Sequence, residues 1–174
     1  MWVDPEDDPR SQEPTQGERA TLLDYLDAYR KTLVMKCEGL TPEQLATASV
    51  PPSNLSLLGL VRHMAAVEQS WFRRVMDHHL ELPRLWGKAK NRDADFTDLE
   101  PTQDCVDEAF AALAREVAYA DEWVAAHDDL AVLGDLDGTA VELRTVLVHM
   151  IEEYARHCGH ADLLRECIDG RTGQ

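Results

Sequence analysis

The chain has 174 residues, a length for one domain with tails, and its hydrophobic content of 44% suffices for a core without covalent staples. Acidic residues number 33 against 17 basic ones, so a formal charge of −16 repels polyanions and the sequence predicts no nucleic-acid partner. No apolar run approaches the ~20 residues of a membrane helix. The start, MWVDPEDDPR, also lacks the charged-then-apolar order of a signal peptide, which predicts a cytoplasmic protein with no membrane partner.

Residues 1–14 are rich in acids and proline and read as a flexible acidic arm. Thr15-Gln16-Gly17-Glu18 has the spacing of a helix capping box. The segment after it keeps an apolar face through Leu22, Leu26, Tyr29 and Leu33, predicting a helix to about Cys37 that stops at Gly39. Thr41-Pro42-Glu43-Gln44 repeats the start signal for a short helical turn, ended before Pro51-Pro52. Ser56 opens a long helix, SLLGLVRHMAAVEQSWFRRVMDHHL, whose stripe is Leu57, Leu60, Met64, Val67, Trp71 and Val75. His63 lies on the flank of that stripe, and by itself reads as an ordinary half-buried histidine. His78 and His79 are expected in the last turn, where a cation suits the helix dipole.

Pro83 to Pro101 is a long connection holding Trp86 and Phe96. Nineteen residues reach about 60 Å when extended, against about 37 Å for a helix of 25 residues. The connection can therefore return along the molecule and start the third long helix parallel to the second. It can also roof a site. The third helix is expected over 102–126, with Val106, Phe110, Leu113, Val117 and Ala120 facing the core. Residues 128–138 read as a turn-rich link, and Thr139 with Glu142 as another capping box. Nothing reads as a sheet. Four long amphipathic helices imply an all-α chain, a four-helix bundle over residues 15–170, with 171–174 as a tail.

The last helix, Thr139 to Ile168, carries the densest chemistry. Leu143, Val146, Leu147, Met150, Tyr154, Ala161, Leu164 and Ile168 form its apolar stripe. His157 lies inside the stripe and Glu153 one turn earlier on the near flank, while His149 and His160 fall further out. A carboxylate and an imidazole at this spacing point the same way, which suits two ligands of one metal or one hydrogen-bonded pair. Spacing alone leaves both open. Cys37, Cys105, Cys158 and Cys167 contain no C-x-x-C and are expected as free thiols, mostly core fillers. H-E-x-x-H, the phosphate-binding G-x-x-x-x-G-K-[ST], G-x-S-x-G and the dinucleotide-binding glycine fingerprint do not occur.

Lys36 to Leu40, Ser56 to Met64, Val67 to Phe72, and His149 to Glu166 together resemble the DinB-like superfamily, in its branch of small actinobacterial proteins near mycothiol-dependent maleylpyruvate isomerase and the mycothiol S-transferases. The resemblance spans Gly17 to Gly170 and implies a four-helix bundle with a long crossover between its second and third helices. It implies one divalent metal, zinc first and nickel or another ion next, held by His63, Glu153 and His157, with His149 and His160 as neighbours. A mycothiol-like thiol is the implied cosubstrate, attacking an electrophilic small molecule, and a homodimer is implied by the resemblance alone. Two alternatives stand beside this S-transferase: a metal-binding stress-response bundle without turnover, and a metal-dependent hydrolase.

Overall fold

A computed structural model describes residues 3–4, 6–10, 14–86, 91 and 93–173; the other residues expected in the arm, the connection and the tail lie outside these. The chain is mostly helical. Its long helices are α1 (Glu18–Cys37), α3 (Leu57–Glu68), α5 (Gln103–Ala125) and α6 (Leu143–Asp169). Two short ones, α2 (Pro42–Leu45) and α4 (Ala94–Thr97), and an antiparallel hairpin of β1 (Leu133–Leu136) and β2 (Thr139–Glu142) complete the described elements. None of the described helices is long and apolar enough to cross a membrane.

The caps explain most boundaries. Thr41 and Gln44 form the expected reciprocal box, with the Gln44 amide 3.3 Å from Thr41 Oγ1 and the Thr41 amide 2.9 Å from Gln44 Oε1. Ser56 and Thr102 each accept from the amide three residues on, at 3.1 and 3.3 Å. The box expected from Thr15 does not form. Gly17 occupies the N-cap at φ +87°, a turn only glycine enters freely, and α1 starts without a side-chain cap.

Helix α3 continues as a π-helical stretch, Gln69–Met76, in which the Asp77 amide reaches back five residues to Phe72 O at 3.0 Å. The helix therefore ends earlier than its sequence suggests. His78, at φ +58°, and His79 lie beyond it rather than in its last turn. At that end Asp77 accepts from Tyr119 and Trp123 of α5.

The link before α6 is also a correction, because part of it is a sheet. Leu136 pairs with Thr139 and Leu133 with Glu142, joined by Asp137 and Gly138 at φ +51° and +86°. Two positive φ values in a two-residue loop make the turn whose twist matches paired strands. Thr139 is thus a strand residue, and α6 begins at Leu143 behind a Glu142 that caps nothing with its side chain.

Partner contacts climb together along two helix pairs. Arg62 of α3 meets Asp98, just before α5, and further on Arg73 and Asp77 of its π-helical continuation meet Glu116 and Trp123 of α5, so the two run parallel. Glu18, Tyr29 and Lys36 meet Arg144, Cys158 and Asp162, so α1 and α6 do too. Leu33 of α1, Leu57 and Met64 of α3, and Leu147, Met150 and Tyr154 of α6 are fully shielded in one core. Val67, Trp71, Phe110 and Val117, expected in the core, are half-buried at its margin. In the centre, Arg30 grips Glu68 at 2.7 and 2.8 Å, and Tyr154 donates to the same carboxylate at 2.9 Å.

Candidate metal centre

The apolar stripe of α6 turns His157 towards α3 and leaves Glu153 at the stripe's edge, one turn earlier. The opposing flank of α3 supplies His63. One ligand atom from each of these three residues lies within 4.8 Å of the others. His157 Nε2 is 3.5 Å from Glu153 Oε2, and the rings of His63 and His157 meet edge-on at 4.8 Å between centroids. Three donors from two helices are thus gathered at one point.

Each donor is held from behind by another group. His63 Nδ1 is 3.1 Å from Asp95 Oδ2, and His157 Nδ1 is 3.3 Å from His160 Nδ1. Glu153 Oε1 accepts from Arg156 at 3.0 Å, with His149 Nε2 3.8 Å away. What remains for a ligand is the Nε2 of both imidazoles and Oε2 of the carboxylate. Burial, then the neighbouring His63, His160 and Arg156, pushes the His157 pKa down to about 4. At neutral pH this ring is therefore uncharged with a lone pair available, the form a metal binds. Two nitrogens and one carboxylate oxygen suit a divalent ion such as zinc, with a position left over.

The remaining sequence candidates are not among the three donors. His149 packs on Trp71 at 4.7 Å between centroids and touches Glu153 from outside, while His160 stands behind His157. Cys158 faces α1, its sulfur 3.5 Å from Tyr29 O, and burial pushes its thiol up to about 12. His79 pairs with Asp77 at 3.1 Å, away from the three donors.

Asp95 is the residue that sequence reasoning passes over. It belongs to α4, a single turn inside the connection, where no periodicity marks a side chain as inward-facing. Phe96 beside it lies over His63, at 5.3 Å between ring centroids. A small cavity of about 50 Å³ adjoins this corner between Gln69, Ser70, Arg74, Trp86 and Asp95. A larger apolar one of about 500 Å³ runs between α1 and α5 and shares no residue with the three donors.

The sequence model of a family described as Mycothiol-S-transferase matches residues 21–170. A crystal structure of a conserved protein from Enterococcus faecalis shares the fold at 18% identity and a TM-score of 0.62, over 90% of this chain and 100% of that one. No curated protein matches.

Proposed function

The chain belongs to the mycothiol S-transferases, a DinB-like family, and from that premise we propose that it is a divalent-metal-dependent transferase acting on a low-molecular-weight thiol of the mycothiol type. The observation that carries this reading is the convergence of His63, Glu153 and His157 within 4.8 Å. The architecture is read as a four-helix bundle with a long crossover, supported by the two parallel helix pairs and the connection between α3 and α5.

A divalent ion held by His63, Glu153 and His157 would act as a Lewis acid, the chemistry that keeps a thiol ionised near neutral pH. Two imidazole ligands and a single carboxylate ligand would leave a divalent ion with net positive charge, an attraction for an anionic sulfur. Phe96 beside His63 and Trp71 beside His149 flank the donors with aromatic surface, which limits the water around them. The sulfur bonds to an electrophilic carbon as the leaving group departs with its electron pair, and the thiol proton passes to solvent. No protein nucleophile is required, in keeping with thiols that burial holds protonated at Cys37 and Cys158.

A metal-binding bundle without turnover would need its coordination shell closed by the protein. His160, three residues from His157, turns its Nδ1 to His157 Nδ1, and Cys158 turns its sulfur to Tyr29 O. This favours the enzyme over that alternative. Elemental analysis of purified protein beside His157→Ala tests the centre, with loss of stoichiometric metal as the expected result. Thiol consumption with a model electrophile then tests turnover. A chelator-sensitive rate with mycothiol is expected, and a rate indifferent to chelation with mycothiol, bacillithiol and glutathione alike would refute the transferase.

A further inference from the structure

The three donors are not supported equally. Glu153 and His157 lie on one helix and are steadied by that helix's own Arg156 and His160. His63 has a polar partner only from outside its helix, the Asp95 carboxylate of α4, among the described residues. An imidazole is free to turn about its last side-chain bond, with two broad orientations, until something fixes one nitrogen.

The connection is fastened to α3 at the turn that carries His63. Trp86 Nε1 donates to Arg62 O at 2.7 Å, and the Arg62 guanidinium lies 4.5 Å from the Trp86 ring centroid. The same guanidinium donates to Asp98 O at 2.6 Å. One residue, directly before His63, thereby holds the chain on both sides of α4. Gly59, one turn earlier, is a notch for the Phe96 side chain. A Cβ there would stand 2.7 Å from Phe96 Cδ1, closer than a side chain tolerates, so the ring would have to shift. The notch, the Arg62 grip and the seated ring together set where Asp95 arrives. It arrives largely sheltered, with 14% of its side chain exposed beside 25% for His63.

We propose that Asp95 is the positioning residue of the centre: through Nδ1 it fixes the His63 ring so that Nε2 faces Glu153 and His157, and Gly59 with Phe96 delivers it. This rests on the metal reading above. A carboxylate behind a histidine ligand fixes tautomer and ring orientation and raises the ring's basicity, and removing such a partner typically costs about 10–100-fold in metal affinity. Binding is reciprocal, so a metal that favours the fixed ring also favours a docked α4.

The experiment is a zinc dissociation constant, measured by competition with a chromogenic chelator, on parent, Asp95→Ala, Asp95→Asn and Gly59→Ala. Asp95→Ala is expected to weaken zinc by about 10–100-fold, with the metal-free protein still folded in far-UV circular dichroism. Asp95→Asn keeps an acceptor for Nδ1 and should recover part of that loss. Gly59→Ala should weaken zinc too, and add little when combined with Asp95→Ala, because both act through the same carboxylate. Zinc should slow amide exchange at residues 94–98 in the parent and leave it unchanged in Asp95→Ala. Parent and Asp95→Ala binding zinc equally well would overturn this assignment and spare the centre. A parent that binds no zinc, nickel or cobalt would overturn the centre, and this assignment with it.

Discussion

Glu68 shows how a full charge survives in this core. Its carboxylate is completely shielded, yet both oxygens accept from Arg30 and one also accepts from Tyr154, so neither oxygen is left without a donor. Removing one partner of such a pair costs more than the pair contributes, because it strands the other charge. Glu68→Ala is therefore expected to lower unfolding free energy by about 3–5 kcal/mol in urea titration. Glu68→Gln keeps a hydrogen-bond acceptor and should cost less. A loss of under about 1 kcal/mol in Glu68→Ala would mean that Arg30 finds Asp121, 2.8 Å away, sufficient by itself. Residues of this kind are hard to read from sequence, since Glu68 lies in the helix as an ordinary acid. Glu153 and His157 were legible because one helix fixes both directions. His63 needed the family resemblance, since half a turn either way would face it elsewhere, and Asp95 needed the folded connection.

At the scale of elements, local chemistry announced the end of α1 and the starts of α3 and α5, where a cap or a stop was unambiguous. The Thr41, Ser56 and Thr102 caps all form, and Gly39 follows α1 at φ +73°. Thr139 misled because a capping-box spacing also occurs in a strand, and the Asp137-Gly138 pair beside it was the stronger signal. The π-helical stretch had no local signal at all: QSWFRRVM contains neither glycine nor proline, and it meets α5 where Arg73 donates to Glu116. The hairpin provides a test of both points. Gly134 lies against the end of that stretch, where an added Cβ would stand 2.7 Å from Val75 O and 2.8 Å from Met76 Sδ. Backbone cannot step aside as a side chain can, so Gly134→Ala should lower stability by about 1–3 kcal/mol. Thr139→Ala, which removes no cap, should change stability by less than about 0.5 kcal/mol. Thermal unfolding of the two variants beside the parent decides, and a costly Thr139→Ala would restore the capping reading.

For the whole molecule, chain arithmetic was informative. A connection longer than the helix it follows allows α5 to start beside the start of α3, and the ordered contacts from Arg62 to Asp77 follow that course. Net charge is the other global property, and it sets how stability responds to solution conditions. At −16 the surface repels itself, so salt that screens exposed charges should raise the melting temperature. Asp77 responds differently, because it is a local joint between the end of the π-helical stretch and α5. Burial pushes its carboxyl up, but donation from Tyr119 and Trp123, with the charge of His79, outweighs that and holds it below its ordinary value of 3.8. The unfolded chain therefore takes up this proton first as pH falls. The stabilisation is present above 3.8 and is lost as pH drops through the lower folded value. Asp77→Asn should accordingly be less stable than the parent at neutral pH, with the gap closing in strongly acidic buffer. The gap should shrink only in part at ~0.5 M salt: about a third of the Asp77 side chain is exposed at 35%, but the hydrogen bonds from Tyr119 and Trp123 remain. A gap that vanished with salt at neutral pH would place Asp77 among the exposed acids and remove it as the joint that ends the helix.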